Sequence, residues 1–106
     1  MTVKRAKPPP RDPPGTDLRP DPAHIHDTAS LLEALREFRE WAGDPAFRKM
    51  AAACGQLVTA TSMHTALRDD RLPPLRTVEA VLRGCGATEE YEERFAEAWR
   101  RVNERP

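Results

Sequence analysis

Two short amphipathic runs joined through a glycine, spanning Phe47 to Leu67, limit what this chain can fold into more than any other stretch. The first run is Phe47-Arg48-Lys49-Met50-Ala51-Ala52-Ala53-Cys54, and Gly55 follows it. Phe47, Met50, Ala51 and Cys54 recur at helical spacing, so one face of that run is apolar. The second run, Thr59 to Arg68, places Met63, Ala66 and Leu67 at i, i+3 and i+4, again a single apolar face. Ala51 is small enough to let one helix press on the next, and Gly55 accepts the positive φ that a tight reversal needs. Two helices this short are marginal alone, so each must bury its face against a common core.

A small residue at the contact, a glycine at the turn and an inward apolar face on the second helix are the requirements of a helix-turn-helix. The flanking sequence supplies the other helices. Ser30 and Glu33 read as a capping box for a first helix, with Leu31, Leu35, Phe38 and Ala42 on one stripe widened by Leu32 and Trp41. Gly43 ends it, and Asp44-Pro45 reads as cap and first turn of a second helix over about 45–54. The third helix, about 59–68, takes Thr59 as its cap. Val78, Val81 and Leu82 form the core stripe of a fourth helix that starts after Pro73-Pro74 and stops at Gly84-Cys85-Gly86. Thr88 caps a fifth, where Tyr91, Phe95, Trp99 and Val102 repeat along one side. That aromatic stripe serves to close the core or to form a dimer surface. The expected fold class is all-α, with five helices over residues 29–104.

Ahead of this domain, residues 1–28 hold seven of the eleven prolines and few large apolar groups. Such a segment buries too little to offset ordering, so it reads as a disordered, polyproline-like tail. Its basic residues Lys4, Arg5, Lys7 and Arg11 read as part of a solubilising tail, with an arm reaching into a minor groove as the alternative. His24-Ile25-His26-Asp27 has metal-ligand residue types without partners at zinc spacing, and no metal site is read from it.

Charge is balanced over the 106 residues, 17 basic against 17 acidic, and gives no hint of a polyanionic partner by itself. Its distribution does. Residues 46–76 carry Arg48, Lys49, Arg68, Arg71 and Arg76 against Asp69 and Asp70, while both flanks are net acidic. No run of 18 apolar residues exists to span a membrane, and no apolar stretch follows the basic N-terminus as a secretory signal requires. The two cysteines, Cys54 and Cys85, read as small buried thiols of a reducing cytoplasm. No phosphate loop, Cys-x-x-Cys pair or nucleophile–base set is present, so neither an enzyme nor a cofactor is expected.

With Met63, Ala66 and Leu67 turned inward, the third helix exposes Ala60, Thr61, His64, Thr65 and Arg68 behind its cap Thr59. Thr61, His64, Thr65 and Arg68 share one face. Threonines offer a hydroxyl to a base edge and a methyl to thymine, and arginine takes guanine or phosphate. The face lacks Gln and Asn, and Asp69 and Asp70 follow directly.

The run Arg68-Asp69-Asp70-Arg71-Leu72-Pro73-Pro74-Leu75-Arg76-Thr77-Val78 resembles the loop and fourth helix of the Cro/lambda-repressor-like, or XRE, family. Residues 31–102 as a whole are similar to the small XRE-type domains of actinobacteria, which share the Trp41–Pro45 segment and the Thr65–Pro73 run. The turn from Gly55 to Thr59 departs from them, being about two residues longer, with Gln56 and Leu57 the extra pair. The resemblance implies a cytoplasmic transcriptional regulator. Its third helix would read duplex DNA through Thr59, Ala60, Thr61, His64, Thr65 and Arg68, and Arg48, Lys49, Arg71 and Arg76 would hold phosphates. It also implies a homodimer on paired half-sites. Similar domains occur fused to larger signalling chains, so the second expectation is a non-enzymatic module that binds a protein partner.

Overall fold

The computed structural model describes residues 3–8 and 17–104. A single 3₁₀ turn, Pro22–His24, precedes α1 (Thr28–Trp41), α2 (Phe47–Ala53), α3 (Ala60–Arg68), α4 (Leu75–Gly84) and α5 (Glu89–Asn103). Among the described residues there is no strand, so the class is all-α. No helix is long and apolar enough to cross a membrane among those residues.

The helix starts follow from side chains that satisfy otherwise orphaned amides. Thr59 Oγ1 accepts from the Ser62 amide at 3.1 Å, and Thr88 Oγ1 from the Tyr91 amide at 3.1 Å, as their positions in the sequence lead one to expect. At α1 the cap differs from expectation. Asp27 accepts from the Ser30 amide at 2.8 Å while Ser30 Oγ accepts from the Asp27 amide at 3.1 Å. The helix therefore opens at Thr28, and Ser30 is the third residue of a capping box rather than its first. Asp44 is no cap either. Gly43 and Asp44 are both left-handed, at φ +97° and +55°, which turns the chain before Pro45 and delays α2 to Phe47. Arg39 holds this reversal: it pairs with Asp44 at 2.8 Å, donates twice to the Pro45 carbonyl, and lies 4.1 Å over the Phe47 ring.

The core draws on all five helices. Leu31, Leu35 and Phe38 of α1, Met50 of α2, Met63 of α3, Val78, Val81 and Leu82 of α4, and Phe95 of α5 are fully enclosed. Phe38 stacks on Tyr91 at 4.8 Å between ring centroids. Trp99 is half-buried and donates its indole N–H to the Pro73 carbonyl at 2.8 Å, which fixes the α3–α4 connection to α5. Cys54 and Cys85 are both free and buried.

Gly84 is not the stop signal that its place before Cys85-Gly86 suggests. It is the last residue of α4, and the positive φ belongs to Gly86 at +84°. A Cβ on Gly84 would lie 2.7 Å from Met50 Cβ and 2.9 Å from the Met50 carbonyl oxygen. The missing side chain lets α2 and α4 meet backbone to backbone.

The segment 17–27 also departs from the expected tail. Pro22 and Ile25 are buried, Ile25 only 3% exposed. Pro20 and Pro22 offer carbonyls but no amides, and α5 supplies donors to this segment. Tyr91 Oη donates to the Pro20 carbonyl, Arg101 donates to the carbonyls of Pro22 and Ile25 at 3.1 and 3.2 Å, and Arg94 pairs with Asp21 at 2.7 Å. Packing thus begins well before residue 29. Arg11 and the prolines at 9, 10, 13 and 14 lie outside the described residues.

Two outcomes follow. Gly84→Ala gains about 1 kcal/mol of helix propensity but forces the α2–α4 contact open. A net loss of about 1–3 kcal/mol in urea titration is expected; equal or higher stability would mean the two backbones separate freely. Burial pushes the Cys85 thiol up to about 12, so it stays protonated and iodoacetamide at pH 8 should label it only on unfolding, as read by intact mass.

Candidate functional site

The expected contact residues fall on three connected pieces: the first turn of α2, the outer side of α3, and the segment 69–76. Their placement starts from α3. Met63 and Leu67 are buried, and that commits the opposite side to solvent. Thr61, His64, Thr65 and Arg68 are all exposed. Three of the four carry nothing on their side chains among the described residues. His64 meets the Phe47 ring edge-on at 5.2 Å, so its imidazole is braced by α2.

Thr59 and Ala60 stand differently. The Thr59 hydroxyl accepts the Ser62 amide and donates to Ser62 Oγ at 2.9 Å, so it holds the helix end together. Ala60 is half-buried and packs on the core. Both sit at the start of α3, where the chain arrives from Gly55 and Gln56, left-handed at φ +69° and +59°. The Gln56 amide donates to the Ala51 carbonyl at 2.8 Å, and Leu57 and Val58 pack against the core. Gln56, Leu57 and Val58 are therefore anchored in this turn.

Arg48, Lys49, Arg71 and Arg76 are exposed, and with Arg68 they form no ion pair among the described residues. The remaining arginines are mostly committed to structure. A groove of about 420 Å³ runs between α3 and the 69–77 segment, with Thr61, Thr65 and Arg71 on its walls and Pro73, Pro74 and Thr77 below. Asp69 also borders it, but its carboxylate accepts the Asp70 amide at 2.8 Å and stays tied to the backbone.

Sequence reasoning missed the residue that positions the exposed helix from behind. Arg36 of α1 donates from Nε to the Leu67 carbonyl at 2.7 Å and from Nη2 to the Asp69 carbonyl at 3.3 Å. A cation at a helix C-terminus satisfies orphaned carbonyls and complements the dipole. In sequence Arg36 is one more polar residue off the apolar stripe, and nothing local marks its partner 31 residues away. Among the described residues no group of three or more His, Cys, Asp or Glu side chains is placed to hold a metal ion.

No family model, no curated protein and no solved structure matches this chain.

Removing the Arg36 hook should cost about 1 kcal/mol, with the loss concentrated at the end of α3. Amide exchange followed by NMR in Arg36→Ala should speed up at Leu67 and Asp69 while Val81 and Phe95 keep their protection. Uniform acceleration would show that Arg36 supports the whole core instead.

Proposed function

We propose that the protein is a sequence-specific DNA-binding transcriptional regulator, built on a Cro/lambda-repressor-like helix-turn-helix in which α2 and α3 are the paired helices and α3 reads the major groove. The observation that carries this reading is the division of α3 itself. Its inner side is locked by Met63, Leu67 and the Arg36 hook, while Thr61, Thr65 and Arg68 stand free on the outer side. An α-helix fits a major groove when one side is held rigidly and the other offers donors, acceptors and methyl groups.

The unpaired cations support the same reading. Arg48 and Lys49 on α2, and Arg71 and Arg76 beyond α3, flank the exposed helix on both sides, as phosphate contacts must flank base contacts. The threonines and single arginine read bases modestly, so sequence preference rests partly on DNA shape. His64, leaning on Phe47, is the one ring on the face.

A second reading has its own support. Asp69 and Asp70 at the end of α3 repel phosphate, and the face carries one forked side chain. Both suit a non-enzymatic interaction module whose α3 meets a protein.

Selection of binding sites from a random duplex pool, then a salt titration on the winner, separates the two. A regulator enriches a motif and loses affinity steeply as salt rises. No enrichment at low salt sinks the regulator and leaves the protein partner. On the enriched site, Arg68→Ala should cost about 1–3 kcal/mol and relax one base position; equal loss on unrelated duplexes would make Arg68 a phosphate contact.

A further inference from the structure

The N-terminal strap Val3–Pro8 lies against the body as an irregular, anchored segment. Three contacts hold it. The Ala6 amide donates to the Arg83 carbonyl at 2.8 Å. Arg5 Nη1 donates to the Ala87 carbonyl at 2.6 Å and pairs with Glu92 at 3.2 Å. Glu92 is 8% exposed and already grips Arg83 through both carboxylate oxygens at 2.9 Å, so Arg5 docks on a prebuilt ion pair at the α4–α5 corner.

This anchoring decides where the strap's other two cations go. The Lys4 stem passes Gly55, at the head of the turn into α3, with Cδ 3.2 Å from where a Gly55 Cβ would be. Lys7 borders a recess of about 290 Å³ together with Lys49 and Ala53 of α2. Both lysines are exposed, and neither forms an ion pair among the described residues. The carboxylates near the strap, Glu79, Glu89 and Glu93, border a separate recess of about 480 Å³ with Val3, Arg5 and Arg83. The strap thus separates an acidic edge from a basic one.

We propose that the strap is a fixed part of the DNA interface, in which Lys4 and Lys7 extend the phosphate-contacting surface of Lys49 while Arg5 and the Ala6 amide act as positioning groups. This rests on the DNA-binding reading above and adds residues to the same surface. A loose arm wandering into a minor groove is a different device: it needs Arg5 free, and here Arg5 is bound to the body.

The test uses the full chain and the duplex enriched by selection, with the slope of log affinity against log salt as readout. Each phosphate contact contributes about 0.9 to that slope. Lys4→Ala with Lys7→Ala should flatten it by about 1.8. Ala6→Pro keeps every charge while removing the anchoring amide and restricting the backbone at Arg5, and it should flatten the slope too. Thermal melts check that each variant folds. A wild-type slope in the double lysine variant overturns the proposal while leaving the DNA reading standing. Loss of slope in the lysine variant but not in Ala6→Pro overturns the positioning role given to the Ala6 amide. A wild-type chain that binds no duplex takes down both readings together.

Discussion

Met50 and Gly84 meet with no side chain between them on the α4 side, and the placement of the exposed helix rests on that contact. α4 lies deep in the domain, with Val78, Ala80, Val81 and Leu82 all enclosed. Because Gly84 lacks a Cβ, α2 settles directly on the end of α4, and the orientation of α2 is fixed by backbone rather than by adjustable side chains. α2 in turn carries Phe47, the brace for His64, and leads into the anchored turn that delivers α3. A Cβ at Gly84 would press first on Met50 of α2, the helix that carries this brace.

The arginines divide into two populations. Arg36, Arg39, Arg83 and Arg101 lie against backbone carbonyls or buried carboxylates, and each ties its helix to another segment. The guanidinium suits this work because its forked donors satisfy several acceptors in fixed geometry. Arg83 is the most committed, and its bidentate bond to Glu92 holds its pKa above the ordinary value. The second population, Arg48, Arg68, Arg71 and Arg76, has no such partner among the described residues. In a chain of zero net charge, what marks a surface is therefore which cations remain uncommitted.

The features legible in the sequence are those whose cause is local. Thr59 and Thr88 cap helices because their acceptors reach amides three residues on, and the stripes on α3, α4 and α5 follow from periodicity alone. Gly55 marks the turn by its tolerance of positive φ, although only the structure shows Leu57 pinned to the core. What escaped depends on partners far along the chain. The Arg36 hook needs α3, Gly84 needs Met50, and the burial of Pro22 and Ile25 needs donors from α5. Proline-rich composition argues against burial when judged by its own segment, and the argument reverses once Tyr91 and Arg101 supply hydrogen bonds. Asp44 misled for the same reason: its role is set by Arg39 and by a left-handed turn, neither visible in the dipeptide Asp44-Pro45.

The two tryptophans give the chain a pair of built-in optical reporters. Trp41 stacks on Phe38 at 5.5 Å and senses the packing of α1. Trp99 is tied by its indole N–H to the Pro73 carbonyl, at the floor of the groove beside α3. Emission from Trp99 follows any movement of that floor, whereas emission from Trp41 follows the core. With Trp41 replaced by phenylalanine, movement of the groove floor becomes readable without a label.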